Sequence, residues 1–454
     1  MTVMQKGRIH MIGIGGIGMS ALARLYRSRG FQVGGSDISR SEITDALRKE
    51  GVRIFIGQHK AANVAGSVGK VIHTAAARPD NPELAAAKRR RIPIKTYAGA
   101  LGELSRDYRL IAIAGSHGKS TTTALTALTL IYGKLDPTVV IGTKLRQFKN
   151  SNFRPGRSKW LVIEADEYRA SFHNYRPEVA VVTNIDREHL DYYRTTAKVE
   201  AAFLKFLSRI RAGGTAVLNR DDERTRRIGR KLARSRKDVR IIWYSLRDAA
   251  AVKIRKLIRI PGRHNVSNAL AALQVASALR IPRSARYRAI ASYRGAWRRF
   301  DYQGKLSFQG ASGQVSAKVF ADYAHHPTEI KATLQAAREK FPKSRIWCIF
   351  QPHHYERTRT LFKEFSRAFK DCDAAILLDI YEVAGREHRR KDDLINSEHL
   401  AKAITRRGTP ALYLNNPRRL KPFLKRWLKE GDLVLMMGAG DIWEETKKLI
   451  GRKA

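Results

Sequence analysis

The stretch Ile111 to Thr123 reads Ile-Ala-Ile-Ala-Gly-Ser-His-Gly-Lys-Ser-Thr-Thr-Thr, an apolar run that enters a glycine, lysine and hydroxyl turn and continues as a helical pattern. These residue types suit a nucleotide triphosphate. The Lys119 ammonium can reach the β- and γ-phosphates, and the Ser120 hydroxyl can ligate Mg2+. The amides around Gly115 and Gly118 can face phosphate oxygens at the positive end of a helix. The turn is a shortened Walker pattern, because the full spacing needs glycine at position 113, where this chain has Ile113. A plain strand-to-helix turn explains the glycines but not Lys119 followed by a hydroxyl. Gly115, Ser116, His117, Gly118, Lys119, Ser120 and Thr121 are therefore the candidate ATP ligands.

Acids and an imidazole follow at predicted strand ends. The strand Trp160 to Ile163 delivers Glu164-Ala165-Asp166-Glu167, and the strand Val179 to Thr183 delivers Asn184, Asp186, Glu188 and His189. Both clusters leave the same edge of a parallel sheet, where α/β enzymes assemble their sites. Glu164 and His189 stand where a carboxylate and an imidazole can complete the coordination of a Mg2+ held by Ser120. Asp166, Glu167, Asp186 and Glu188 read equally well as solvated loop charges. Further on, Asn265 and Asn268 lie three apart near the start of an alanine-rich helix, on one face, where their amides can hold an adenine ring or a ribose. Helix capping accounts for one of the two asparagines, not both.

A second glycine motif comes first in the chain. Gly13, Gly15 and Gly18 form Gly-x-Gly-x-x-Gly between an apolar strand at 8 to 14 and a helix Ile17 to Arg29, and a second strand ends at Asp37. Taken alone, this fingerprint describes a nicotinamide dehydrogenase with an acid on the ribose. A third group of polar strand ends follows Trp297: Asp322-Tyr323-Ala324-His325-His326, then Gln351 to Thr358 with Tyr355 and Arg357, then Gly438-Ala439-Gly440-Asp441. Imidazoles, guanidiniums and hydroxyls so gathered suit a carboxylate or a phosphate.

The elements that must position these groups alternate strand and helix throughout, which predicts α/β domains with parallel sheets. At 454 residues the chain is long enough for two to four domains. Boundaries are expected at 1–107, 108–296 and 297–454. No stretch of eighteen uncharged apolar residues and no signal-like N-terminus occur in the sequence, so the expected location is the cytoplasm, without membrane insertion. Cys348 and Cys372 sit in apolar stretches and read as buried thiols. The charge is extreme: 87 Lys and Arg stand against 41 Asp and Glu, for a formal +46. Because the basic residues are scattered and no finger, RNP-type or basic-zipper pattern is present, no specific nucleic-acid partner is expected. Non-specific adhesion to anionic surfaces is expected as a by-product.

The order of these motifs resembles the Mur ligase family, and most resembles its alanine-adding branch. The resemblance runs from about Ile9 to Trp443. It is carried by Gly-Ile-Gly-Gly-Ile-Gly-Met-Ser at 13 to 20, the lysine turn at 115 to 123, Glu-Ala-Asp-Glu at 164 to 167 and Thr-Asn-Ile at 183 to 185. His-Leu-Asp at 189 to 191, Gly-Arg-His-Asn at 262 to 265, Arg-Arg-Phe at 298 to 300 and Asp-Tyr-Ala-His-His-Pro at 322 to 327 extend it. The resemblance implies three domains: an N-terminal Rossmann-like domain, a central P-loop ATPase-like domain with a mainly parallel sheet, and a C-terminal Rossmann-like domain. It also implies ATP-dependent ligation of L-alanine to the lactyl carboxylate of UDP-N-acetylmuramate, in peptidoglycan precursor synthesis, with ATP and Mg2+ as cofactors and a monomer or dimer as the assembly. The alternative within the family is attachment of a recycled tripeptide to the same sugar.

In these terms the UDP-sugar falls to Gly13, Gly15, Gly16, Gly18, Met19, Ser20, Asp37, His73 and Thr74, which removes the dehydrogenase reading. Asn265, Asn268, Arg299 and Asp322 join the ATP ligands. His325, His326, Tyr355 and Arg357 fall near the amino acid, and Ser120, Glu164 and His189 form the metal set. Lys119, His189, Arg299, His325 and Arg357 are the implied catalytic groups. The chain departs from the family pattern at His354 and Tyr97, where arginine is usual. Its Glu164 to Tyr168 segment leans toward the tripeptide enzyme.

Overall fold

The computed structural model describes residues 6–310, 313–382 and 395–451. Among them the strands form three sheets. In the first, all neighbours are parallel and the order is Arg53–Ile56, Phe31–Asp37, Lys6–Ile12, Val68–His73, Ile94–Thr96. The chain reverses its direction of winding between Lys6–Ile12 and Val68–His73. The crevice at their carboxyl ends is where such sheets take ligands, and Gly13 to Gly18, His73 and Thr74 stand there. The helix Ile17–Ser28 buries Leu22 and Leu25 against this sheet.

The second sheet runs Arg240–Tyr244, Thr215–Asn219, Val179–Val182, Arg109–Ala114, Trp160–Glu164, Thr138–Leu145, Ser151–Arg154, with only the last pair antiparallel. Its central strand Arg109–Ala114 is buried from Leu110 onward and reads as a continuous apolar run, as a strand covered on both faces must. In the third sheet, Asp301–Gly310 pairs antiparallel with Gly313–Asp322, followed by Leu433–Met437, Ile346–Phe350, Ala374–Leu377 and Ala411–Tyr413 in parallel. Side-chain alternation divides its interior in two. Cys348 and Phe350 enter one apolar cluster, and Trp347 and Ile349 the other. Cys348 and Cys372 are both buried and form no disulfide.

The three-domain α/β organisation is thus as expected from the motifs. The long hairpin of Asp301–Gly310 with Gly313–Asp322 differs, because only Val319 and Phe320 are recognisable as strand. The outer half of the hairpin alternates buried with exposed polar residues, including Lys305, Ser307 and Gln309, and carries no apolar run.

The chain divides into two compact units, Met1–Ile258 with Val266–Tyr293, and Arg259–Asn265 with Arg294–Ala454. Within the first, Asn152 ties the first sheet's helix to the second sheet: its Nδ2 donates to the Ile17 carbonyl at 2.6 Å and to Ser20 Oγ at 2.8 Å. Lys144 adds an ion pair to Glu42 at 2.9 Å. Among the described residues no helix is long and apolar enough to cross a membrane.

Candidate active site

The lysine turn joins strand Arg109–Ala114 to helix Lys119–Tyr132. Gly118 caps that helix in the left-handed region, φ +83°, and no side chain caps its first amides. A Cβ at Gly118 would lie 2.3 Å from Asn268 Oδ1, so glycine is required both by backbone conformation and by the asparagine behind it. The uncapped amides at Lys119, Ser120 and Thr121 are the orphan donors of a helix start, directed where an anion is favoured. Asn268 therefore stands against the turn itself.

The turn is laced to the neighbouring strand end. Ser116 N–H donates to the Asn184 carbonyl at 3.0 Å and His117 N–H to Asn184 Oδ1 at 2.9 Å. Thr183 Oγ1 and Asn184 Nδ2 both donate to the His117 carbonyl, at 2.6 and 3.0 Å. Asp186 contacts the His117 ring at 3.0 Å, and its amide donates to Ser116 Oγ at 2.8 Å. The Ser116 and His117 amides thus hold the turn's shape, and the helix start at Gly118 has no side-chain cap. Thr183 and Asn184 thereby gain a role that the sequence did not assign them. Their position directly after the buried strand Val179–Val182 was the available signal.

Lys119 Nζ donates to the Gly115 carbonyl and to Glu167 Oε2, both at 2.8 Å. Burial pulls the ammonium toward deprotonation, but Glu167, Asp166 and Glu164 outweigh it and hold its pKa above the ordinary lysine value. Glu164 ends its strand beside Ile113, and its Oε1 accepts the Gly142 amide at 2.6 Å. His189 packs its ring on Tyr168, 4.9 Å between centroids, with Nε2 3.9 Å from Glu167 Oε1. Lys119, Glu164 and His189 thus share one region, and Glu167, which read equally as a loop charge, is buried at its centre. Donor atoms of Asp166, Glu167 and His189 lie within 4.8 Å of one another.

In the first domain, Gly13 and Ile14 amides donate to the Ser36 carbonyl at 2.8 and 3.1 Å, and Gly16 precedes helix Ile17–Ser28 without a side-chain cap. Gly15 N–H donates to Asp37 Oδ2 at 2.8 Å, and Ser39 N–H to Asp37 Oδ1 at 3.2 Å, so the acid expected on a ribose closes the glycine loop in this structure. Met19 and Ser20 lie in the first turn of that helix. Both are buried, 3% and 0% exposed, Met19 in the core and Ser20 against Asn152, because the first turn of the helix faces inward there. His73 and Thr74 are half-buried at the strand end. Tyr97, in place of the usual arginine, lays its ring over Gly18.

In the second unit, Asp322 is buried and accepts the Phe300 and Ala324 amides at 2.7 and 2.8 Å. Burial raises its carboxyl above the ordinary range, against the pull of Arg299 and those two amides. Arg299 stacks over Tyr323 at 5.1 Å and reaches Glu329 at 4.0 Å. His325 sits 3.2 Å from the same Glu329 and 5.8 Å, ring to ring, from His353, which Arg357 approaches at 3.5 Å. Tyr355 opens helix Tyr355–Thr360 behind His354, whose φ of +83° is unusual for a bulky side chain. His326 caps helix Pro327–Lys340, its Nδ1 accepting the Thr328 amide at 3.3 Å. Asn265 donates to the Pro261 carbonyl at 2.6 Å and so closes the turn that starts its helix.

A phosphate-shaped turn at the centre of a parallel sheet, with a further α/β sheet before it and another after it in the chain, defines a multidomain α/β enzyme of the P-loop type. The family model described as Mur ligase family, catalytic domain, matches residues 8–109; the Mur ligase middle domain matches 113–276; and the Mur ligase glutamate ligase domain matches 308–440. The chain belongs to the Mur ligase family. It is 37% identical to the UDP-N-acetylmuramate–L-alanine ligase of Alkaliphilus metalliredigens, over 99% of this chain and 98% of that one. It is 40% identical to the enzyme of the same name from Geobacter sp. strain M21, over 98% and 97%. The crystal structure of the Thermotoga maritima UDP-N-acetylmuramate–alanine ligase superposes with a TM-score of 0.78 at 27% identity, covering 98% of this chain and 99% of that one.

Proposed function

We propose that the protein joins L-alanine to the lactyl carboxylate of UDP-N-acetylmuramate, driven by ATP, in the synthesis of peptidoglycan precursor. The observation that carries the reading is the uncapped helix start at Gly118 with Lys119 held over it, in a chain at 36 to 40% identity to alanine-adding ligases along nearly its whole length. A lactyl oxygen attacks the γ-phosphorus in line, the bond to the β-phosphate oxygen breaks, and ADP leaves an acyl phosphate. The alanine nitrogen then attacks the acyl carbon through a tetrahedral intermediate, phosphate departs with the C–O bond electrons, and the nitrogen loses its proton.

In this scheme the amides of Lys119, Ser120 and Thr121 and the Lys119 ammonium offset the repulsion between two anions that must meet. Asn265 and Asn268 take the adenosine, and Arg299 and Asp322 join the ATP ligands as the family resemblance implies. His325, Tyr355 and Arg357 take the amino acid. The residues fit a divalent cation, since the buried Glu167 Oε1 accepts no hydrogen bond from the described residues and faces His189. Ser120, Glu164 and His189, joined by Glu167, would hold Mg2+, which supplies charge neutralisation on the phosphates. The Gly15 loop and the strand end at His73 and Thr74 receive the sugar diphosphate.

Phosphate release from ATP, followed with UDP-N-acetylmuramate, Mg2+ and a panel of amine substrates, tests the reading. L-alanine should support the fastest release, with serine and glycine slower. Release that depends on the tripeptide instead would transfer the protein to the recycling branch, and release with no amine dependence would end the proposal.

A further inference from the structure

We propose that Glu167 is a positioning residue of the nucleotide turn: it holds the Lys119 ammonium in reserve for the phosphate, and by doing so makes nucleotide binding depend on a divalent cation. The inference rests on the reading of the Lys119 turn as an ATP site. Glu167 has a side chain 1% exposed, with Oε2 2.8 Å from Lys119 Nζ and Oε1 3.9 Å from His189 Nε2. Its place is fixed from behind, since its carbonyl accepts both the Tyr193 hydroxyl and the Ala170 amide. Asp166, next to it, accepts the Tyr168 amide at 3.0 Å, and Tyr168 in turn packs on His189.

A buried carboxylate needs a cation beside it, and Lys119 supplies one. When a phosphate draws the ammonium away, the Glu167 charge is left in a low-dielectric pocket facing a polyanion, with the edge of His189 as its neighbour. That repulsion opposes binding. The divalent cation of the proposed site, held in part by Glu167 and His189, whose donor atoms lie within 4.8 Å of each other and of Asp166, reverses its sign. Oε1, buried and accepting no hydrogen bond from the described residues, is the atom such an ion would take. Glu167 is thus a positioning group that acts through Lys119 and the cation, with no direct contact to the reacting atoms.

The test is calorimetric titration of ADP into the intact protein and its Glu167→Gln variant, each in chelator and in excess Mg2+. Wild type should bind ADP far more weakly in chelator. E167Q, having lost the buried charge, should bind ADP in chelator at least about tenfold more tightly than wild type, so that the Mg2+-dependent gap narrows. Glu167→Asp keeps the charge and should keep the gap, and thermal melts of both variants establish that they are folded. An unchanged gap in E167Q, or a gap that closes equally in E167D, overturns the proposal while leaving the nucleotide site in place. If wild type binds no ADP in either buffer, the nucleotide reading itself fails and the proposal goes with it.

Discussion

Lys119 links two demands that pull against each other, because its ammonium neutralises Glu167 and, in the proposed site, is the cation a triphosphate must meet. Lys119→Ala therefore has two consequences. Turnover in the phosphate-release assay should disappear, while affinity for UDP-N-acetylmuramate changes by no more than about twofold, since the sugar falls to another sheet. Stability should drop by about 3 to 5 kcal/mol in denaturant melts, because a buried carboxylate loses its partner. Combining the change with Glu167→Gln should return most of that loss, as a double-mutant cycle between contacting groups would show. Sugar binding that collapses in Lys119→Ala would contradict the division of labour. At this scale Lys119, Ser120, Glu164 and His189 could be picked out from residue types and strand-end positions alone. Glu167 could not, since nothing local separates a buried acid at a strand end from a solvated one.

At the level of elements, each site is a strand, a turn and a helix start, and the turn is the sensitive part. Gly118→Ala puts a Cβ into the left-handed region and 2.3 Å from Asn268 Oδ1. Strain on the order of 1 to 2 kcal/mol, plus a displaced asparagine, should lower ADP affinity at least about tenfold in direct titration. The same variant should leave UDP-sugar binding unchanged. Gly15→Val should do the reverse, because its side chain would enter the space of Asp37 Oδ2 and Thr44. Loss of both ligands in either variant would mean that the two turns do not bind independently. The strands carrying these turns were recognisable to within a residue or two, being apolar and followed by glycine. The hairpin Asp301–Gly310 with Gly313–Asp322 was mostly hidden, because an edge hairpin with one wet face has no continuous apolar run.

Across the whole molecule, the first domain hides a polar centre that sets an acid limit on stability. Glu83 is fully buried between His10 Nε2 at 2.8 Å, Ser36 Oγ at 2.7 Å, His59 Nδ1 at 3.1 Å and Asn63 Nδ2 at 2.7 Å. Burial would raise its pKa, but the hydrogen bonds from His10, Ser36 and Asn63 together prevail and hold the carboxyl down at about 2. A carboxyl depressed on folding contributes stability that is complete above its unfolded value near 4.5 and fades as pH falls toward 2. That contribution is on the order of 3 kcal/mol. Glu83→Gln should lower the melting temperature at pH 7 and flatten the decline of stability between pH 4.5 and 2 relative to wild type. A decline as steep as wild type's would show that other carboxylates set the acid limit. The formal +46 acts over the same scale, and salt should weaken any adhesion to anionic surfaces without altering turnover.

Local chemistry settled what kind of protein this is: glycine, lysine and hydroxyl order, strand-to-helix alternation and capping residues act over a few bonds and can be read along the chain. Tertiary packing decided which groups meet. Lys119 reaches Glu167 across 48 residues, His117 reaches Asn184 across 67, and Ser20 reaches Asn152 across 132. Those distances close only when strand register and helix burial are set together, so whether a given acid is a surface charge or the counter-ion of the nucleotide turn has no signature in its neighbours along the chain.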